Sequence, residues 1–285
     1  MKKLSLPQDS NCLFSFVQIS DTHCLKEYGK PQHLLAKTSL RLGKYAFHWR
    51  DSANSFPILE STLEYINQKI KPDFLIHSGD ITECGKLSNL EDAKKLLAKL
   101  NCSCYPLMGD NDGKAHSHSD YVKVFGQRCY SFNFQNWHII ILSAHPDNAE
   151  LDWLKKDLSG NVEKPIIFAT HHLIVGNFVL WLIEKCLRIE MFMPRAREVL
   201  KILKDNSNVR LVLSGHCHTN FHWKKYGIDF ISTAALVETP HRFKLFQVYR
   251  DKMIMTLFTA NTAKDVFNQQ WFSRADRTIT IDFLK

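Results

Sequence analysis

Five short polar motifs, each at the end of an apolar run, carry most of the side chains in this sequence that could do metal-assisted chemistry. They are Asp21-Thr22-His23, Gly79-Asp80 with Gly85 after it, Gly109-Asp110-Asn111-Asp112, His171-His172 and Gly215-His216-Cys217-His218. Two cations about 3.5–4 Å apart can hold the attacking and leaving oxygens of a phosphoryl group in line while polarising the oxygens between them. Such a pair needs one carboxylate to bridge it and imidazoles to complete each shell. Asp21, His23, Asp80, His171, His216 and His218 are the right stock. A mixed nitrogen and oxygen donor set suits Mn, Fe, Zn or Co and argues against a pure Ca or Mg site.

The elements that must position these motifs are legible as well. Residues 14–19, 73–77, 104–108, 165–170 and 209–214 have strand length and composition, and each leads into one motif. Ligands placed just after strands converge at the carboxyl ends of a sheet, where open α/β folds put their sites. His216 and His218, two apart, would share a side in extended geometry and serve two ions from one segment. Helical spacing predicts helices over 56–70, 88–100 (capped by Ser88), 150–158 and 195–203. A hairpin is expected over 130–134 and 137–142, and further strands near 221–225, 228–232, 244–249 and 253–258. Strands alternating with helices, then a run of strands, predict two packed mixed sheets with helices outside, an α/β/β/α sandwich.

Taken together and in order, the motifs resemble the calcineurin-like metallophosphoesterase superfamily over residues 14–258. The opening Val17-Gln18-Ile19-Ser20-Asp21-Thr22-His23 and the Gly-His-x-His segment look most like its class III 3′,5′-cyclic-nucleotide phosphodiesterase branch. The resemblance implies one ion on Asp21, His23, Asp80 and His218, and another on Asp80, Asp110, His171 and His216. Asp80 would bridge them, a hydroxide shared by the ions would attack phosphorus, and His171 and His216 would help to stabilise the added charge. Mn and Fe are the expected metals, with Zn or Co as alternatives. Glu83 stands where purple acid phosphatases carry a tyrosine ligand, and no Asp-Arg-Gly follows as in protein Ser/Thr phosphatases, so those branches are disfavoured.

The third motif departs from the family, whose members usually read Gly-Asn-His-Asp there. Aspartate at 110 can still ligate, but Asn111 cannot donate a titratable proton. General acid catalysis is worth about 10²–10⁴-fold for a poor leaving group. Its loss tilts the substrate from a cyclic ester toward a diphosphate linkage, whose leaving phosphate needs less help. Two rescues are open: His116 or His118 swings in as the acid, or a one-residue shift makes Asn111 the ligand and leaves Asp112 facing the leaving group. The substrate readings are thus a 3′,5′-cyclic nucleotide or a nucleotide-lipid diphosphate such as UDP-2,3-diacylglucosamine. The third reading is a metal-binding module whose catalysis has lapsed.

Length and composition bound the rest. The chain has 285 residues, 45% of them hydrophobic, with no break in composition, which predicts one α/β domain. A net charge of +8 favours an anionic partner. In an inserted segment over 24–55, Lys37, Arg41, Lys44 and His48 recur at helical spacing beside Leu42, Tyr45, Ala46 and Trp49. That pattern reads either as a solvated helix face or as an interfacial helix, with Arg41, Lys44 and Trp49 meeting substrate or an anionic membrane. The apolar stretch over 173–194 is too interrupted to span a bilayer, and is expected as a lid that accepts acyl chains, a homodimer contact or ordinary core. Eight scattered cysteines and an N-terminus without an apolar signal core predict reduced thiols in a cytoplasmic protein, peripheral at most on the inner face of the membrane. No aromatic-lined groove suggests a nucleic-acid partner. His33, His48, His77, His138, His145, His222 and His241 have no spacing that singles them out.

Overall fold

Short apolar runs rich in β-branched and aromatic residues form the frame. The computed structural model describes residues 11–26, 52–114, 118–187, 190–259 and 278–283. The stripe with Arg41, Lys44 and Trp49, and His116, lie outside the described residues. In chain order, β1 (Phe14–Ile19), β2 (Phe74–His77) and β3 (Ser103–Pro106) pair in parallel. The chain then builds a second sheet. β4 (Tyr130–Phe134) and β5 (Trp137–Ile141) form a hairpin, and β6 (Ile166–Ala169) and β7 (Val209–Ser214) follow in parallel. β8 (Phe221–Lys225) forms the edge beyond β9 (Ile228–Ser232), and β9 lies parallel to β7. Finally β10 (Arg242–Val248), β11 (Lys252–Thr259) and β12 (Thr278–Asp282) return to the first sheet, with β10 antiparallel to β1. Each sheet is thus mixed and six-stranded.

Helices cover both outer faces. Against the first sheet lie α1 (Ser55–Tyr65), α2 (Leu87–Leu97) and α3 (Ser119–Phe125), whose Leu59, Leu63, Leu90, Ala93, Tyr121 and Val124 pack on Val17, Leu75 and Leu245. Against the second lie α4 (Asn148–Ser159) and, after α5 (Phe178–Leu187), α6 (Ala196–Lys204); Leu151, Leu154, Val199 and Leu203 meet Ile140, Phe168 and Val212. The strand alternation is what allows this. Phe16, Phe74 and Phe246 face inward while their neighbours Val17, Leu75 and Leu245 face the helices. The inner core is aromatic: the Phe16 ring lies 5.1 Å from Phe74 and 4.7 Å from Phe246, nearly parallel to both. The layering is the α/β/β/α sandwich expected from the sequence.

Some local expectations need correction. The helix expected over 56–70 is two pieces, because α1 gives way to a π turn at Ile66–Ile70 that Lys71 ends in the left-handed region, φ 53°. Ser88 lies inside α2, and the residue at its cap is Lys86, which caps with no side-chain bond. Part of the apolar stretch after His172 is α5, an α-helix that strong apolarity disguised. All eight cysteines are free thiols.

Phe16→Ala removes the middle ring of the inner stack. It is expected to lower unfolding stability by about 3–5 kcal/mol, read from urea melts of the full chain; a change below about 1 kcal/mol would show that the two sheets do not depend on this contact.

Candidate metal centre

The five motifs meet at the carboxyl ends of the strands, along the seam between the two sheets. Beyond β1 and β2 the two loops stay zipped: Asp21 N–H donates to Gly79 C=O at 2.9 Å, His23 N–H to Asp80 C=O at 3.0 Å and Cys24 N–H to Ile81 C=O at 2.8 Å. Three bonds then stitch this sheet to the other. Gln18 Nε2 donates to Ser214 C=O at 3.0 Å, His216 N–H to Asp21 Oδ2 at 3.1 Å, and His171 Nδ1 to Ser78 C=O at 2.8 Å. The motif glycines permit this crowding. A Cβ on Gly109 would collide with the backbone nitrogen and Oδ1 of Asp80, and one on Gly215 with Ser20 Oγ.

Two donor groups result. Asp21, His23 and His218 offer atoms within 4.8 Å of one another, as do Asp80, His171 and His216. His218 Nε2 lies 3.2 Å from Asp21 Oδ1 and 3.2 Å from His23 Nε2. Asp80 stands between the groups, with Oδ2 3.7 Å from His23 Nε2 and Oδ1 3.4 Å from His171 Nε2. One carboxylate therefore presents one oxygen to each cluster, as a bridge between two ions requires. Asp21, His23, Asp80, His216 and His218 all have positive φ, between 43° and 61°. His216 and His218 do reach different groups, but through left-handed bends and not through the extended geometry expected of them.

The sequence pattern of the calcineurin-like phosphoesterase family matches residues 14–220, most of the chain. The chain belongs to that family. It is 24% identical over 240 residues to a 3′,5′-cyclic-nucleotide phosphodiesterase of Nostoc sp., covering 77% of this chain and 85% of that one. Among solved structures, a dimetal phosphatase from Danio rerio superposes with a TM-score of 0.70 at 14% identity, covering 95% of this chain and 99% of the other. A purple acid phosphatase from yellow lupin reaches 0.63 at 11% identity, covering 94% of this chain and 53% of that one. Membership makes the protein a metal-dependent phosphoester hydrolase, and the family uses divalent metals. No helix among the described residues is long and apolar enough to cross a membrane.

In this calcineurin-like phosphoesterase each central imidazole is held by its other nitrogen. His23 Nδ1 lies 2.8 Å from Glu83, His218 Nδ1 2.6 Å from Glu238, His171 Nδ1 on Ser78 C=O and His216 Nε2 on Glu190 C=O. Such outer partners fix tautomer and ring orientation for metal-binding histidines. Glu238 carries no signal in the sequence beyond its charge, and Glu83 none as a partner of His23. Burial opposes charge on Asp21 and Asp80, yet His218 beside the first and His171 beside the second hold both well below the usual carboxylate range. Burial likewise opposes protonation of His171 and His218. Asp80 outweighs it at His171, and Glu238 with Asp21 outweigh it at His218, so that both are pushed up to about 10. Burial, aided by His172 and His171, brings His216 down to about 3. Asp21 Oδ1 and His171 Nε2 are buried without a hydrogen bond. Buried carboxylate and imidazole atoms facing one another in this way, Asp21 Oδ1 3.2 Å from His218 Nε2 and His171 Nε2 3.4 Å from Asp80 Oδ1, fit a place for cations.

The third motif behaves differently from expectation. Asp112 does not face the leaving group: it is 1% exposed, and its oxygens accept from the N–H groups of Ile81 at 3.0 Å, Thr82 at 2.8 Å and Gly109 at 3.0 Å. It ties the second and third motifs together. Asn111 turns its amide Nδ2 onto Asp80 Oδ2 and its backbone N–H onto Asp80 Oδ1 at 2.8 Å, while Lys114 takes its Oδ1. A shift that makes Asn111 the ligand therefore has no support in its geometry. Asp110 lies 3.5 Å from His216 Nδ1, but closer to His172 and His145, at 3.0 and 2.8 Å. His118 bonds Arg128, which is paired with Glu150; burial and the Arg128 charge lower its pKa, the wrong direction for a proton donor at neutral pH. Cys217 turns away toward Met191 C=O.

Metal loading is expected to expel protons. With His171 and His218 titrating at about 10, both carry protons near neutral pH in the metal-free protein, and an ion binds only the neutral ring. Affinity for Mn²⁺ should rise as pH rises toward 10, and calorimetric heats at neutral pH should depend on the buffer's ionisation enthalpy. Heats that are the same in all buffers would contradict the protonation states assigned here.

Proposed function

We propose that the chain is a dinuclear-metal phosphodiesterase acting on a nucleotide-type substrate, of the 3′,5′-cyclic-nucleotide class. The observation that carries this reading is Asp80, one buried carboxylate with an oxygen toward each donor group. The cyclic-nucleotide phosphodiesterase of Nostoc supports the substrate class. When bound, a pair of such ions supplies an activated water and Lewis acidity toward the phosphoryl oxygens. Asp21, His23, Asp80 and His218 would hold one, and Asp80, Asp110, His171 and His216 the other, with Mn and Fe the metals that best suit these donors. Asn111 orients Asp80 through two hydrogen bonds, so its role here is positioning and not proton donation. Residues 14–258 act as one catalytic domain in this reading.

A second reading, hydrolysis of a nucleotide-lipid diphosphate such as UDP-2,3-diacylglucosamine to UMP and the lipid monophosphate, is favoured by α5. Phe178, Val179, Trp181 and Leu182 are 71%, 50%, 45% and 43% exposed on that helix, and the segment after it reaches the site through Glu190 C=O on His216. Exposed apolar side chains beside a phosphoesterase centre suit acyl chains. The loss of a titratable group at 111 agrees with a phosphate leaving group.

Two measurements decide. Asp80→Ala should lower turnover of bis(p-nitrophenyl) phosphate with Mn²⁺ by at least about 10³-fold, a loss of about 4 kcal/mol in transition-state stabilisation; unchanged turnover would sink the two-ion assignment. Cyclic AMP and UDP-2,3-diacylglucosamine assayed side by side should give cleavage of the cyclic nucleotide. Cleavage of the lipid alone would replace the first reading by the second, and metal binding without turnover of any of the three substrates would make the chain a metal-binding module.

A further inference from the structure

We propose that Asp110, His145 and His172 form a third cation site, for a divalent first-row transition-metal ion, joined to the Asp80–His171–His216 group through the Asp110 carboxylate. Their donor atoms lie within 4.8 Å of one another. That is close enough to surround one ion at about 2.0–2.2 Å from each. Two imidazoles and one carboxylate leave coordination positions open and select first-row transition ions over Ca or Mg. The opening is toward solvent, because the His145 side chain is 40% exposed while His172 is buried.

Three observations converge on this cluster. His172 is 0% exposed; its Nδ1 makes no hydrogen bond, and its Nε2 faces Asp110 Oδ2 at 3.0 Å. A buried imidazole turned onto a carboxylate in this way is the arrangement that a cation between them would use. Asp110 divides its oxygens, Oδ1 to His145 at 2.8 Å and Oδ2 to His172 at 3.0 Å and His216 at 3.5 Å. A carboxylate placed so can share its oxygens between neighbouring ions. Finally, the rings crowd, with His172 centred 4.0 Å from His216 and 5.4 Å from His145. Three imidazoles thus stand around one carboxylate.

Asp110 is the ligand at which the sequence departs from the Gly-Asn-His-Asp pattern of the family it resembles. An asparagine, usual in the family at this place, has one acceptor oxygen and could serve one ion; aspartate offers a second oxygen to the other side. The site thus draws Asp110 and His172 from the third and fourth motifs and adds His145, which lies outside them.

The test is a Co²⁺ titration of the metal-free full chain, following visible absorption, with metal content after desalting measured by mass spectrometry. Wild type should saturate at three equivalents, and His145→Ala at two. His145 is partly exposed, so the variant should keep its fold, which circular dichroism checks. Asp110→Asn, with the family's amide, should lose the same equivalent. Equal stoichiometry in wild type and both variants overturns the third site while leaving the pair intact. A wild-type total below two overturns the third site and the dinuclear reading together.

Discussion

Buried negative charge is the constraint on which the rest of this structure depends. Asp21, Asp80 and Asp112 are 0%, 2% and 1% exposed and lie in neighbouring loops. An isolated ionised carboxylate cannot remain buried without compensation. Each is compensated in its own way. Asp112 is satisfied by three backbone N–H groups, and burial together with the Asp80 charge still pushes it up to about 7. Asp21 and Asp80 instead face imidazoles. Asp112 is met by the backbone, whereas Asp21 and Asp80, with one backbone N–H each from His216 and Asn111, rely on imidazoles besides. That division separates the residue that builds the loops from the residues that can meet an ion.

The same constraint explains why two sheets are needed. Asp21 and Asp80 come from the first sheet, and His171, His216 and His218 from the second. Neither sheet alone supplies both the anions and most of their partners. The aromatic inner core and the cross-sheet bonds at Gln18, Asp21 and Ser78 hold the two halves in register, so the packing of Phe16, Phe74 and Phe246 bears on the geometry of the centre some distance away.

Much of this was readable from the sequence, for definite reasons. Strands such as 14–19 and 209–214 announce themselves through continuous apolar runs, and the residues after them gave the donor set in order. What was not readable depends on contacts distant in the chain. His145 has no motif around it, and comes beside Asp110 only because the loop after β5 borders the loop after β3. Glu83 and Glu238 are ordinary surface-type residues until His23 and His218 are placed against them. The bonding of Asp112 was not readable, since periodicity carries no information on which backbone N–H groups a carboxylate will meet. β12 alternates threonine and isoleucine as a strand does, a signal that the expected strands, ending at 258, did not include.

The left-handed backbone at Asp21, His23, Asp80, His216 and His218 has a consequence for how such a protein can change over generations. Each non-glycine residue held there carries strain of about 1–3 kcal/mol. Exchange of any of them for glycine relaxes the main chain at the moment it deletes a donor. Folding stability and metal chemistry therefore pull in opposite directions at the same five positions. Selection for turnover must act continuously to keep them, and a lineage released from it would slide toward a sturdier, silent scaffold with the same sandwich.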